Sequence, residues 1–292
     1  MLNKRGQITL YIIIAIVIVA AVLFFVFLMP KIQEAGMTEA QAKAFLESRA
    51  PQLKNYVQDC MKTTARKSIN TLGRQGGYII PRPARIGLPY AVMSDAPIMN
   101  YALFYDKNAG ENVNLLPSIN EMQTELSNFM TVNLDFYNCV GNFGSFKNQM
   151  EITPGILTIQ NSTFGNNIII TFSYPLTIKK GKASMIVDNY AVSIPIDLVK
   201  IRDVAAQVVN GYMTGKNPIV IESELARIIE INLRTNPDSE IMSLGSSSYS
   251  EIPSDSAGVI YNSKNTLYKI EYNRMGLDKT FSFYFLVGSE SW

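Results

Sequence analysis

Cys60 and Cys139 carry the clearest covalent chemistry in this chain. They are its only two cysteines, and outside a reducing compartment an isolated pair oxidises to a disulfide. Such a bridge would close a loop of about 80 residues and stabilise by roughly 4 kcal/mol on the chain-entropy account. Two buried free thiols are the alternative. Asn161-Ser162-Thr163 is the only acceptor sequon for an N-linked glycan, and it reads as part of the turn before a strand. The remaining polar residues form no catalytic pattern. The chain has no histidine, which removes the commonest general base, every Ser-His-Asp or Cys-His arrangement and most zinc and copper sites. Glu222 and Glu224 diverge on a helix. No glycine-rich phosphate loop follows a strand, and no G-x-S-x-G occurs. No catalytic residue, cofactor site or metal site is expected, and the chain does not read as an enzyme.

Charge adds little to that list. Lys plus Arg number 26 and Asp plus Glu 24. Setting aside Lys4 and Arg5 leaves the rest balanced, without the basic footprint of a nucleic-acid binder. Lys54, Lys62, Arg66 and Lys67 fall off an apolar stripe and read as a solvated face. The lysines of Lys179-Lys180-Gly181-Lys182 read as a hairpin tip.

The elements that hold these residues are mixed. Helix formers dominate from Thr38 to Arg49, and Pro51 marks a kink or a fresh start. Leu53, Tyr56, Val57, Cys60, Met61, Ala65, Ile69 and Leu72 then recur at helical spacing. Gly73 suits the cap, with Gly76-Gly77 in a turn. A proline-rich stretch follows, with a strand at 101–105. Ser118 and Glu121 form a capping box for a helix carrying Ile119, Met122, Leu126, Phe129, Met130, Phe136 and Val140, with Cys139 near its end. The period then changes to two: Ile168, Ile170, Phe172 and Tyr174 run toward the lysine tip, and Tyr190, Val192, Ile194 and Ile196 return. Asp197 caps a helix with Leu198, Ile201, Val204, Ala205, Val208 and Tyr212 inward. A short helix is expected from Glu222 to Leu233, and a mobile serine-rich loop over 243–258. Tyr268, Ile270 and Tyr272 alternate, as do Phe281, Phe283 and Phe285, across a connection at Gly276. They suggest a closing hairpin with a buried aromatic row.

The N-terminal stretch decides where this domain works. From Ile8 to Met29 run 22 residues without a charge. As a helix they span ~33 Å, enough for a bilayer core of ~30 Å. Lys4 and Arg5 precede the run, so basic residues stay cytoplasmic and the bulk of the chain lies outside. A secretory signal has a shorter apolar core and then a small-residue cleavage site; here Ala20 and Ala21 are followed by eight more apolar residues, so cutting there would leave an apolar stump. The expected organisation is a basic leader over 1–6, a transmembrane helix over 7–30, a helical stalk over 31–72 and an extracytoplasmic domain over 73–292. The expected class is α+β, with antiparallel strands packed with several helices.

Lys4-Arg5-Gly6-Gln7, followed at once by the apolar run, resembles the class III signal of archaeal type IV pilins and archaellins. The resemblance covers about 25 residues. It implies cutting by a prepilin-type peptidase between Gly6 and Gln7 and self-assembly of the retained helix. Pro30 lies where pilin helices often kink. Many pilins carry a glutamate five residues into the mature chain; Tyr11 stands there instead, and archaellins also lack that glutamate. Residues 56–79, 173–201 and the closing strands look similar to uncharacterised single-span membrane proteins of small-genome archaea; the resemblance covers most of residues 40 to 290 and implies no activity. The expectation is a surface protein with a pilin-like N-terminus, structural or adhesive, or a pilus-like filament subunit. The competing expectations are a permanently anchored envelope protein that binds a partner or glycan, and an envelope hydrolase.

Overall fold

A computed structural model describes residues 14–24, 37–79, 90–93, 96–106, 109–141, 143–216, 220, 223, 240–249, 264–274 and 277–289. The fold is α+β, with helices and largely antiparallel sheets. It divides into two compact units. The first holds Met1–Asn55, Asn142–Gly155 and Pro175–Asp188; the second holds Tyr56–Gly141, Ile156–Tyr174 and Asn189–Trp292. The chain changes unit five times, after Asn55, Gly141, Gly155, Tyr174 and Asp188.

Helix α1, Glu39–Arg74, contributes to both units. Thr38 and Gln41 start it with reciprocal bonds: the Gln41 amide donates to Thr38 Oγ1 at 3.3 Å and the Thr38 amide donates to Gln41 Oε1 at 2.9 Å. That is a capping box made with glutamine. Pro51 lies inside the helix and does not end it, so of the expected kink or fresh start the fresh start does not occur. It removes only the bond to the Glu47 carbonyl, and both residues are exposed, so water can serve that oxygen. Ala42, Leu46, Leu53, Val57, Cys60, Met61, Ala65, Ile69 and Leu72 are all buried. The stretch expected as a stalk is therefore packed along its stripe. Gly73 is not the cap. The helix runs one residue further, and Gly77 donates back to the Leu72 carbonyl at 2.8 Å, with Gly76 left-handed at φ 71°. This is the six-to-one bond of a Schellman ending. Gly73 is small for another reason: a Cβ there would lie 2.6 Å from the Ser282 carbonyl oxygen and 2.5 Å from the Phe281 ring.

The first unit carries a three-stranded sheet in the order β4-β7-β8, formed by Glu151–Pro154, Leu176–Lys180 and Ala183–Val187. A 3-10 turn over Gly144–Asn148 precedes it. The second unit carries a matching sheet, β5-β6-β9, formed by Thr158–Phe164, Ile168–Ser173 and Tyr190–Ile194. Along the chain the strands of the two sheets follow one another across short breaks, at Gly155–Leu157 between β4 and β5, at Tyr174–Pro175 between β6 and β7, and at Asp188–Asn189 between β8 and β9. Pro175 has no amide to donate, and Asn189 turns left-handed at φ 59°. The expected hairpin at the lysine tip is present as β7 and β8. The expected return strand is present as β9, which pairs with β6 with Ile168 opposite Ile194 and Phe172 opposite Tyr190.

The larger sheet of the second unit has six strands. β1 is Tyr90–Met93, β2 Ala96–Asp106, β3 Glu111–Asn114, β10 Glu240–Tyr249, β11 Lys264–Arg274 and β12 Phe281–Ser289. Its order is β1-β2-β12-β11-β10, with β3 also on β2. One pairing departs from the antiparallel expectation: β2 and β12 run parallel. β11 and β12 form the expected hairpin, Tyr268 opposite Phe285 and Ile270 opposite Phe283. Those side chains are buried, so the aromatic row is core. Helix α4, Leu198–Met213, packs against β11 and β12, capped by Asp197, whose Oδ1 accepts from the Lys200 amide at 2.9 Å.

Two further expectations change. The helix from Ile119 is two helices, α2 over Ile119–Val132 and α3 over Leu134–Val140. Asn133 divides them in extended conformation and caps the second through the Asp135 amide. Ser118 and Glu121 do form the capping box of α2. The serine-rich segment expected as a loop is strand β10 up to Tyr249, because its backbone pairs residue by residue with β11. A ladder is made by main chain, so small polar side chains do not prevent it. Residues 250–258 and the expected helix at Glu222–Leu233 lie outside the described residues, apart from Ser223. Of the apolar N-terminal run, residues 14–24 are described, as a helix. Among the described residues no helix is long and apolar enough to cross a membrane.

Candidate functional site

The bonded chemistry of the second unit centres on α1 and α3. Cys60 lies on the buried stripe of α1 and Cys139 near the exposed end of α3. They form a disulfide with Cα atoms 5.7 Å apart, well inside the reach of a bridge. Two polar contacts repeat the attachment. Tyr56 Oη donates to the Cys139 carbonyl at 2.6 Å, and Lys67 Nζ meets Asp135 Oδ2 at 3.1 Å. Three attachments therefore hold a seven-residue helix too short to be stable by itself.

A cleft of about 420 Å³ opens beside this attachment. One wall is a polar stripe of α1, Thr63, Arg66, Lys67 and Asn70, whose spacing places them on one helix face. The other wall is Leu277, Asp278 and Lys279 from the β11–β12 connection, with Ile196 and Phe281 as apolar floor. Arg66 and Asp278 form an ion pair between the walls. Of the three cations on the lining, Arg66 is paired with Asp278 and Lys67 with Asp135, so most of its positive charge is compensated. Arg66 and Lys67 were legible as charges off the apolar stripe. Their partners 68 and more than 200 residues away were not.

Basic side chains outside the cleft pack on aromatic rings. Lys180 of the hairpin tip lies over the Phe45 ring at 5.6 Å, and Arg49 over the same ring at 5.6 Å. Each is a cation–π contact. Lys269 on β11 forms an ion pair with Glu271 and lies 5.7 Å from the Tyr284 ring centre. Its ammonium is held above its ordinary range, chiefly by the hydrogen bond to Glu271. Burial, followed by the nearby Tyr137, raises the Tyr174 phenol. Among the described residues no three His, Cys, Asp or Glu side chains converge as metal ligands.

Asn161 is exposed, in strand β5 rather than in the turn expected for it. It is not near the cleft residues in sequence or in their elements. Gly6, Gln7, Glu222 and Glu224 lie outside the described residues. Protein-family models, curated proteins and solved structures show no match to this chain.

Proposed function

We propose that this chain is a membrane-anchored extracytoplasmic surface protein with a pilin-like N-terminus, structural or adhesive in role. One observation carries the reading. Residues 14–24 form a helix whose large apolar side chains are all uncovered: Ile14, Ile16, Val17, Ile18, Val19, Val22, Leu23 and Phe24 are 46–63% exposed. Burying apolar surface stabilises by ~25 cal/mol per Å², so a helix apolar on every side calls for an apolar surrounding. Those residues belong to an uncharged run of 22, the length of a membrane span. The disulfide fits an oxidising exterior.

Two surroundings serve such a helix. Lipid makes it a permanent anchor with its N-terminus cytoplasmic. Neighbouring copies make it the core of a filament, since helices can replace lipid around one another. Gly6-Gln7 favours the filament, through cutting by a prepilin-type peptidase. Tyr11 favours the anchor. N-terminal mass spectrometry of the native exported protein separates them. A chain starting at Gln7 supports processing, and Gly6→Leu should then abolish it. A chain starting at Met1 or Leu2 leaves the plain anchor. Recovery of the full chain in the soluble cytoplasmic fraction would overturn both.

A further inference from the structure

We infer that Asn161 carries an N-linked glycan; the inference rests on the extracytoplasmic placement proposed above. The folded domain accommodates a glycan only where the sequon's asparagine faces solvent. In β5 a bulge turns it that way. The burial pattern from Thr158 to Phe164 alternates, then slips at the register shift between Ile159 and Asn161. Unbroken alternation would put Asn161 on the face of Ile159, the inward one. After the slip, Ser162 and Phe164 are buried, and Asn161 and Thr163 are exposed on one face. Asn161 Nδ2 donates to Thr163 Oγ1 at 3.1 Å. The middle residue is fixed from below: Ser162 Oγ shares a 2.8 Å hydrogen bond with Ser127 Oγ and donates to the Gln123 carbonyl at 3.1 Å, both on α2. β5 is an edge of its three-stranded sheet. In the turn after it, a side chain added at Gly165 would meet nothing within 4 Å. A bulky, solubilising group therefore fits here, and it would shield a strand edge.

The donor is a glycan on a lipid-linked phosphate or pyrophosphate. The sugar C1–O bond to the carrier breaks, the Asn161 Nδ2–C1 bond forms, and the proton lost by the amide leaves with the carrier's phosphate or pyrophosphate. Nothing is oxidised or reduced.

The test is peptide mass mapping of the full chain, purified from a cell that exports it and that has an oligosaccharyltransferase reading Asn-x-Ser/Thr. The peptide containing Asn161 should be shifted by a glycan mass. Asn161→Gln and Thr163→Ala should remove the shift, whereas Thr163→Ser should keep it. In each variant the Cys60–Cys139 bridge reports that the domain is folded. A bridged chain with Asn161 at its unmodified mass overturns the glycan alone. Free thiols together with an unmodified Asn161 overturn the glycan and the extracytoplasmic placement.

Discussion

Tyr212 on α4 and Tyr268 on β11 meet phenol to phenol, with their oxygens 2.8 Å apart. Both are buried, at 4% and 0% exposure. The rings meet edge-on at 6.2 Å, and Tyr268 stacks on Phe285 at 5.2 Å. A polar bond is thus enclosed by aromatic packing where α4 meets the large sheet. Removing one hydroxyl keeps the packing but takes a partner from the other, and a buried group deprived of a partner costs about 1–3 kcal/mol. Tyr212→Phe should lower stability by that amount in urea unfolding. The double variant with Tyr268→Phe should cost less than the two single effects added. Strict additivity would mean that the two hydroxyls do not depend on each other.

Cys60 and Cys139 are 79 residues apart in sequence. Closing so long a loop in the unfolded chain is worth about 4 kcal/mol, within a usual range of 2–5. Replacing both by serine should lower the unfolding free energy by that order. Replacing Lys67 alone should cost far less, because its pair with Asp135 is exposed at 65% and 49%. Equal losses for the two changes would mean that the bridge does not hold α3 to α1.

Leu126 and Phe129 both fall on the apolar side of α2 in the sequence pattern, and both were expected in the core. The structure separates them: Leu126 is fully buried and Phe129 half-buried. Leu126→Ala should cost about 2–5 kcal/mol. Phe129→Ala should cost less in spite of its larger side chain. A reversed ranking in thermal unfolding would place the core on the Phe129 side.

What is local was legible. Ser118 with Glu121 and Asp197 with the Lys200 amide are caps written within three residues. The alternation of Ile168, Ile170 and Phe172 set one buried face. What depends on distant chain was not legible. The parallel pairing of β2 with β12 joins residues some 185 positions apart, and periodicity has no term for a partner. β10 was hidden because serine and glycine signal loops, while the ladder with β11 overrides that preference. Gly73 looked like a cap because helices often end at glycine; its reason is the nearby carbonyl of Ser282. For the candidate sites, the cysteine pairing and the sequon could be read from residue identity alone. The bulge that turns Asn161 outward, and the loop that closes the cleft over Arg66, could not.

Gly73 should tolerate no larger side chain. In an exposed helix interior, alanine is better than glycine by about 1 kcal/mol. Here a Cβ would meet the Ser282 carbonyl and the Phe281 ring at 2.6 and 2.5 Å. Backbone oxygen cannot rotate away as a side chain can, so overpacking costing about 1–3 kcal/mol outweighs the propensity gain. Gly73→Ala should therefore lower Tm. A raised Tm would show that β12 shifts freely away from α1.

Alkaline pH should loosen the second unit through two groups with shifts of the same sign. Burial raises the Tyr174 phenol above its ordinary 10.0, so the folded state prefers it protonated. The bond to Glu271 raises Lys269 above its ordinary 10.5, so there too the folded state binds its proton more tightly. For a raised value, the stabilisation is complete below the unfolded pKa and is lost as pH climbs through the folded one. Neither group should affect Tm between neutrality and about pH 9, and both should lower it from about pH 10 upward. Tyr174→Phe should shrink that alkaline fall whatever the salt. The part owed to Lys269 is exposed to solvent and should fade as salt screens it. Thermal unfolding followed across this range, at low and high salt, checks both statements. A Tm that holds steady or rises above pH 10 would contradict the direction assigned to Tyr174.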